Sequence, residues 1–314
     1  MRILFSALTA LLCATLPAFA DDAFRIAVGQ RGLWDTSVAE LGQRGGIFKR
    51  HGITLDILYT QGGGETQQAV ISGSVDLGVS AGTLGVFGAF AKGAPLRIIG
   101  AEMTGGADLF WYVRSDSPIR ALHDTDGKTI AYSTNGASTH AIVNAFIKQY
   151  DLKARPVATG SPPATLTQVM SGQIDVGWAG PPFGLDLIDQ GKIRIIASGN
   201  DAAALKNQTV RVLITNAATL QSQQPAVERF MKAYRETVDW MYWDSEAFRH
   251  YAAFMGIGEA AMRRARDSFY PKAALDPDSI VGVETINADA VSFKYMAAPL
   301  SREQLAELIR IPPR

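Results

Sequence analysis

Cysteine is almost missing from this sequence: one residue, Cys13, among 314. It lies in an N-terminal stretch with a character of its own. Arg2 precedes an apolar run from Ile3 to Leu16, then come Pro17 and Ala18-Phe19-Ala20. A basic start, a short apolar run and a small-x-small site form the pattern of a secretory leader (residues 1–20), with cleavage expected after Ala20. The run is shorter than the about 20 residues a membrane span needs. Leu12 stands where a lipoprotein leader would place a small residue before its cysteine. Beyond Ala20 no thiol remains, which excludes a disulfide, a thiolate metal site and a cysteine nucleophile. No later segment is long and apolar enough to cross a bilayer.

Other absences narrow the field. Lys+Arg and Asp+Glu both number 30, and no basic block stands out, so nucleic acid is not an expected partner. The four histidines, at 51, 123, 140 and 250, form neither H-x-x-x-H nor H-E-x-x-H, and there is no G-x-S-x-G elbow. Gly62-Gly63-Gly64 lacks the Lys-Ser/Thr of a phosphate-binding loop and reads as a flexible turn. No enzyme activity, metal or cofactor is expected. The loss of the leader leaves about 290 residues, enough for about two domains, and 47% hydrophobic content supplies a core.

What is present is alternation. Strand-like segments (24–28, 53–59, 75–79, 96–99) alternate with helix-like ones (37–50, 65–72, 83–91), the pattern of a mostly parallel sheet covered by helices. The pattern then repeats. Val70-Ile71-Ser72-Gly73-Ser74-Val75-Asp76-Leu77-Gly78-Val79 matches Val169-Met170-Ser171-Gly172-Gln173-Ile174-Asp175-Val176-Gly177-Trp178. In each copy the glycine supplies a left-handed helix end, and the aspartate can satisfy its turn. A period near 100 residues is too long for a solenoid and fits two α/β lobes built on one plan. The apolar stretches 109–114 and 209–215 read as strands crossing between lobes near Val113 and Leu213. Lobe 1 would then hold 22–112 and 214–314, and lobe 2 would hold 113–213. The C-terminal part reads as largely helical: 226–243, 245–255, 259–269 and 301–311.

Four stretches carry a resemblance. Gly45-Gly46-Ile47-Phe48-Lys49-Arg50-His51-Gly52-Ile53 closes a helix before the second strand. Gly73 to Gly78 is echoed at Gly172 to Gly177. Asp126-Gly127-Lys128 leads into a strand, and Asn135-Gly136-Ala137-Ser138-Thr139 opens a helix followed by His140. In order and spacing the chain resembles the periplasmic solute-binding proteins of ABC importers for nitrate, sulfonates, taurine and thiamine precursors. The resemblance implies a type II periplasmic binding protein fold, two doubly wound lobes joined by two crossing strands. It also implies a small-molecule ligand, an inner-membrane permease as partner, and a monomer in the periplasm. A pyrimidine-like ligand, a sensory role and an enzyme on the same fold stand as alternatives.

Ligands of open α/β sheets bind beyond the carboxyl ends of the strands. That rule selects Gln30, Arg31 and Trp34 after the first strand, and Gln61 after the second. It selects Ser80, Gly82 and Thr83 after the third and Glu102 after the fourth. In the second lobe it selects Asn135, Ser138, Thr139 and Trp178. Two helix starts, at Thr83 and Ser138, present free N–H groups and a positive dipole end to one cleft. Carboxylates look scarce there, with Asp35 and Glu102 the two in view, so a small organic anion is the expected ligand. Glu102 would suit an amino group, which a zwitterion would reconcile. Trp34 and Trp178 read equally as cavity walls or core, and Arg31 equally as an anion partner or a solvated charge. Mass spectrometry of the N-terminus from the native host checks the leader. The expected mature chain begins at Asp21, and one that retains Cys13 refutes export by this route.

Overall fold

The computed structural model describes residues 21–314; the leader, with Cys13 and the Ala20 site, lies outside them. Ten strands form: β1 (Asp22–Gly29), β2 (Ile53–Thr60), β3 (Leu77–Gly82), β4 (Leu96–Thr104), β5 (Phe110–Arg114), β6 (Thr129–Tyr132), β7 (Arg155–Ala158), β8 (Gly177–Ala179), β9 (Ile193–Ser198) and β10 (Thr209–Asn216). The first lobe holds a five-stranded sheet in the order β2-β1-β3-β10-β4. β1 runs parallel to β2 and β3, and β10 runs antiparallel to β3 and β4. The second lobe holds β8-β5-β9 and the parallel pair β6-β7, joined by a parallel bridge between Ile130 and Val176. Read through that bridge, its order β7-β6-β8-β5-β9 copies the first sheet, with β5 in the antiparallel place of β10.

The duplicated segment explains the copy atom by atom. Gly73 and Gly172 both adopt left-handed backbone, with φ of 72° and 77°. Asp76 and Asp175 do the same work, though not on their own turns. Asp76 accepts from the Arg25 backbone N–H (2.8 Å) in β1, one residue before that strand begins to pair with β3. Asp175 accepts from the Thr129 N–H and hydroxyl (both 2.9 Å) at the start of β6. Each carboxylate stitches the foot of one strand to its neighbour, satisfying a backbone donor that the ladder leaves open.

Val113 and Leu213 are not crossing points. Both are buried inside strands: Val113 in β5, within the second lobe's sheet, and Leu213 in β10, within the first. The connections between the sheets precede them, at 105–109 and 199–208. An apolar strand looks the same in sequence whichever sheet it enters, whereas the connections are polar and glycine-containing. The two connections are also bonded together. Gly105 N–H donates to Gln208 O (2.8 Å), Gly199 N–H to Leu109 O (2.8 Å), and Gly106 N–H to Asn200 Oδ1 (2.8 Å). A Cβ on Gly199 would lie 2.4 Å from Gly106 O, so only glycine permits this approach.

Helices cover both sheets, and two features differ from the sequence reading. The helix read over 37–50 is two, Val38–Arg44 and Ile47–Arg50, parted at Gly45-Gly46, where Gly46 is left-handed. A further helix, Val283–Ser292, packs against Thr83–Ala91. Phe24, Phe48, Phe230 and Tyr234 knit the long helix Ala217–Trp243 to β1 through edge and stacked ring contacts.

The lobes meet face to face, and glycines bring their backbones close. A Cβ on Gly64 would lie 1.9 Å from Asn135 O, and one on Gly82 or Gly85 would lie 2.2 or 2.3 Å from Gly136 O. Gly64 N–H donates to Thr134 Oγ1 (3.0 Å), Gln67 Nε2 to Gly136 O (3.1 Å), and Ser161 N–H to Gln61 Oε1 (3.2 Å). The triple glycine is thus the first lobe's half of a close interface. Gly64→Ala is expected to hold the lobes apart while each keeps its fold. X-ray scattering should show an enlarged radius of gyration with an unchanged circular dichroism spectrum; an unaltered scattering curve refutes the closing role.

Candidate functional site

Between the lobes lies a small cavity of about 20 Å³, room for about one water. Its first-lobe wall comes from Gln30 beyond β1, Gly63 beyond β2, Ser80 in β3 and Arg211 in β10. The second lobe supplies Ser133, Ser138, Thr139 and Trp178. Gln30 and Ser80 hold φ of 93° and 65°, a conformation that costs non-glycine residues about 1–3 kcal/mol and gathers at binding sites.

Arg211 is the one charged residue among those lining the cavity, and its side chain is 4% exposed. Its Nε donates to Asp35 Oδ2 (3.0 Å) and one terminal nitrogen to Asp108 Oδ2 (2.5 Å). The other terminal nitrogen has only a long contact, 3.4 Å, to Ser138 Oγ at the start of the helix Ser138–Gln149. A guanidinium with two carboxylates behind it keeps one face for an acceptor. Trp178 adds a second donor: its indole N–H is buried and makes no hydrogen bond. Gln30 donates to Gln61 O (2.5 Å) and leaves Oε1 buried without a partner.

The carboxyls form a layer behind the wall. Glu102 accepts from Ser80 N–H, and Asp35, Asp108 and Glu102 are all fully buried or nearly so. Burial, then the nearby Asp35, hold the Glu102 carboxyl well above its usual range. Burial pushes Asp108 up to about 7, against the downward pull of Arg211. Carboxylates are therefore not scarce, but none of the three lines the cavity.

The residues selected from sequence divide accordingly. Gln30, Ser80, Ser138, Thr139 and Trp178 come together on the cavity wall. Thr139 is already engaged, its hydroxyl bonded to Ser133 N–H (3.0 Å) and Oγ (2.8 Å). Trp34 is core: fully buried, it stacks on Phe248 (5.3 Å) and meets Tyr251 edge-on. Arg31 turns away, donating to Phe254 O (2.9 Å) with its guanidinium 4.2 Å above that ring. Gln61 bridges the lobes, and Gly82 presses on the facing loop. Thr83 is buried with its hydroxyl unbonded, outside the cavity wall. Asn135 accepts from Tyr132 OH (2.6 Å). Arg211 and Asp108 went unselected. Arg211 sits mid-strand in Thr-Val-Arg-Val-Leu-Ile-Thr, and a lone charge in an apolar strand was the available signal.

The family model described as NMT1/THI5 like matches residues 40–247, which is most of the chain. The chain belongs to the NMT1/THI5-like family. No curated protein matches it by sequence. Among solved structures, this family member is similar to a Bordetella bronchiseptica RB50 protein at 20% identity and TM-score 0.78, covering 92% of this chain and 94% of that one. It is also similar to the alkanesulfonate-binding protein SsuA from Xanthomonas axonopodis pv. citri bound to MOPS, at 21% and 0.74, covering 92% and 98%. The periplasmic nitrate-binding protein NrtA from Synechocystis PCC 6803 follows at 13% and 0.69, covering 92% and 86%. These likenesses show the fold, that of the periplasmic binding proteins. Among the described residues of this NMT1/THI5-like chain, no helix is long and apolar enough to cross a membrane.

The raised Asp108 sets a pH dependence. A carboxyl whose folded pKa exceeds its unfolded one favours folding while protonated, and that contribution fades as pH rises through the folded value. Stability should fall as pH rises from about 4 to about 7, and Asp108→Asn should flatten that slope. Urea titrations across the range check it; equal slopes in the two proteins refute it.

Proposed function

We propose that this protein is the solute-binding component of an ABC importer, capturing a small organic anion between its lobes and delivering it to an inner-membrane permease. One observation carries the reading. The small interlobe cavity presents one charge, the guanidinium of Arg211, beside the N-terminus of the helix Ser138–Gln149 and the unpartnered indole N–H of Trp178. Donors converge and carboxyls stay behind the wall, an arrangement that favours a carboxylate, sulfonate or similar oxyanion. The Gln30 carbonyl oxygen offers an acceptor for a ligand N–H or O–H, so an amino-bearing anion also fits.

Capture needs motion. A cavity of about 20 Å³ admits a head group only after the lobes part, and the paired connections at 105–109 and 199–208 are the hinge that allows it. The family membership and the sulfonate- and nitrate-binding proteins that share the fold support this assignment, with the periplasm as location and the leader as the route there. No histidine, cysteine or lysine lines the cavity, which favours binding over turnover.

A thermal-shift screen of sulfonates and carboxylates tests the ligand class. A solute at a hundredfold excess over its Kd raises stability by about 2.7 kcal/mol. Ser138→Ala should weaken the best ligand by about 1.5–3 kcal/mol in calorimetry, as expected for a hydrogen bond to a charged group. Unchanged affinity, or a cation as best ligand, overturns the anion site.

A further inference from the structure

Outside the cavity wall, a further set of contacts joins the lobes through one histidine. His140, in the first turn of the helix Ser138–Gln149, stacks on Tyr132 of β6 (4.5 Å) and meets the Tyr295 ring edge-on (5.8 Å). Tyr295 belongs to the first lobe: its N–H donates to Ala290 O (2.8 Å) in the helix Val283–Ser292. Two donors converge on Nδ1 of the imidazole, the Gly136 N–H (3.2 Å) and the Tyr295 hydroxyl (3.0 Å). Nδ1 therefore carries a lone pair, and the ring hydrogen sits on Nε2, beside the Asn144 amide (3.2 Å). Gly136 is also the residue whose carbonyl oxygen closes on Gly82 and Gly85 and accepts from Gln67 Nε2 (3.1 Å). One ring nitrogen thus holds a first-lobe side chain and the second-lobe loop that seals against the first lobe.

We infer that His140 is a proton-sensitive latch: a proton taken up at Nδ1 releases the loop at Gly136 and shifts the lobes towards an open form. The Tyr295 hydroxyl can turn and accept instead, but a backbone N–H only donates. With Nδ1 protonated, two hydrogens face each other at the Gly136 contact. Burial lowers the His140 pKa from its ordinary value, with no charged group contributing. Parting the lobes returns water to the ring, so the open form binds the proton more readily and acid favours it. Tyr132 and Tyr295, both raised by burial, are the ionisable groups that face the ring. Thr83–Ala91 and β3, also packed against this helix, carry no ionisable side chain. β7 carries Arg155 at the end away from Tyr132, and Asp201 meets the helix at Gln149, in its last turn. Lys148 points to Ser292 and the Phe293 ring.

The test follows lobe separation in the mature chain without solute, so its outcome stands apart from the anion reading. X-ray scattering of the unaltered protein should show the radius of gyration rising as pH falls from about 7.5 to about 5, with an unchanged circular dichroism spectrum. The closed-to-open ratio should change about tenfold for each pH unit by which the ring's pKa differs between the two forms. His140→Asn keeps an acceptor near the Nδ1 position and takes up no proton, so it should stay compact throughout. Asp108, which titrates near about 7, is intact in that variant, so a response that survives there belongs to the carboxyl cluster and overturns the latch. In the unaltered protein the Gly136 amide signal should move in NMR with the His140 ring titration. A Gly136 signal that ignores the ring, or a radius of gyration that does not change with pH, overturns the latch as well.

Discussion

Everything at the centre of this molecule is arranged around one buried guanidinium. Arg211 leaves β10 just beyond the second connection between the lobes and bonds Asp108, on the first connection, and Asp35, in the loop after β1. A buried cation stripped of its partners, or the reverse, costs about 3–5 kcal/mol, so the cluster fixes where hinge, sheet and loop sit relative to one another. Its residual donor capacity is what faces the cavity. One residue thus ties the two connections and the loop together and stands on the cavity wall as well.

The second constraint is steric. Gly64, Gly82 and Gly85 let the loop carrying Asn135 and Gly136 approach to backbone contact, and Gly106 meets Gly199 at the hinge. These glycines allow the duplicated sheets to face each other at short range. Between them the strained residues Gln30 and Ser80 aim their groups inward. The interface combines these close glycine approaches with side-chain bonds from Thr134, Gln67 and Gln61.

Much of this was legible in the sequence. The repeat around Asp76 and Asp175 gave the shared plan, because a helix stop, a turn and a strand foot each demand particular residues. The loop rule selected Gln30, Ser80, Ser138, Thr139 and Trp178 among twelve residues, and the fold brings these five to one wall. What stayed hidden depends on long-range pairing. Nothing local says that Arg211 meets Asp35, 176 positions away, or that Trp34 turns into an aromatic core while Trp178 turns to the cavity. The crossing points were misplaced for the same reason, since burial within a strand does not reveal which sheet receives it.

The glycine-to-carbonyl contacts separate two tasks that many proteins combine. Close approach rests on glycines, and on the proposed reading the choice of guest falls to side chains on the cavity wall such as Ser80 and Ser138. On that reading, replacing Ser80 or Ser138 changes recognition and leaves the glycine contacts in place. Descendants of such a chain can change diet while inheriting the same jaw, provided the glycines stay small.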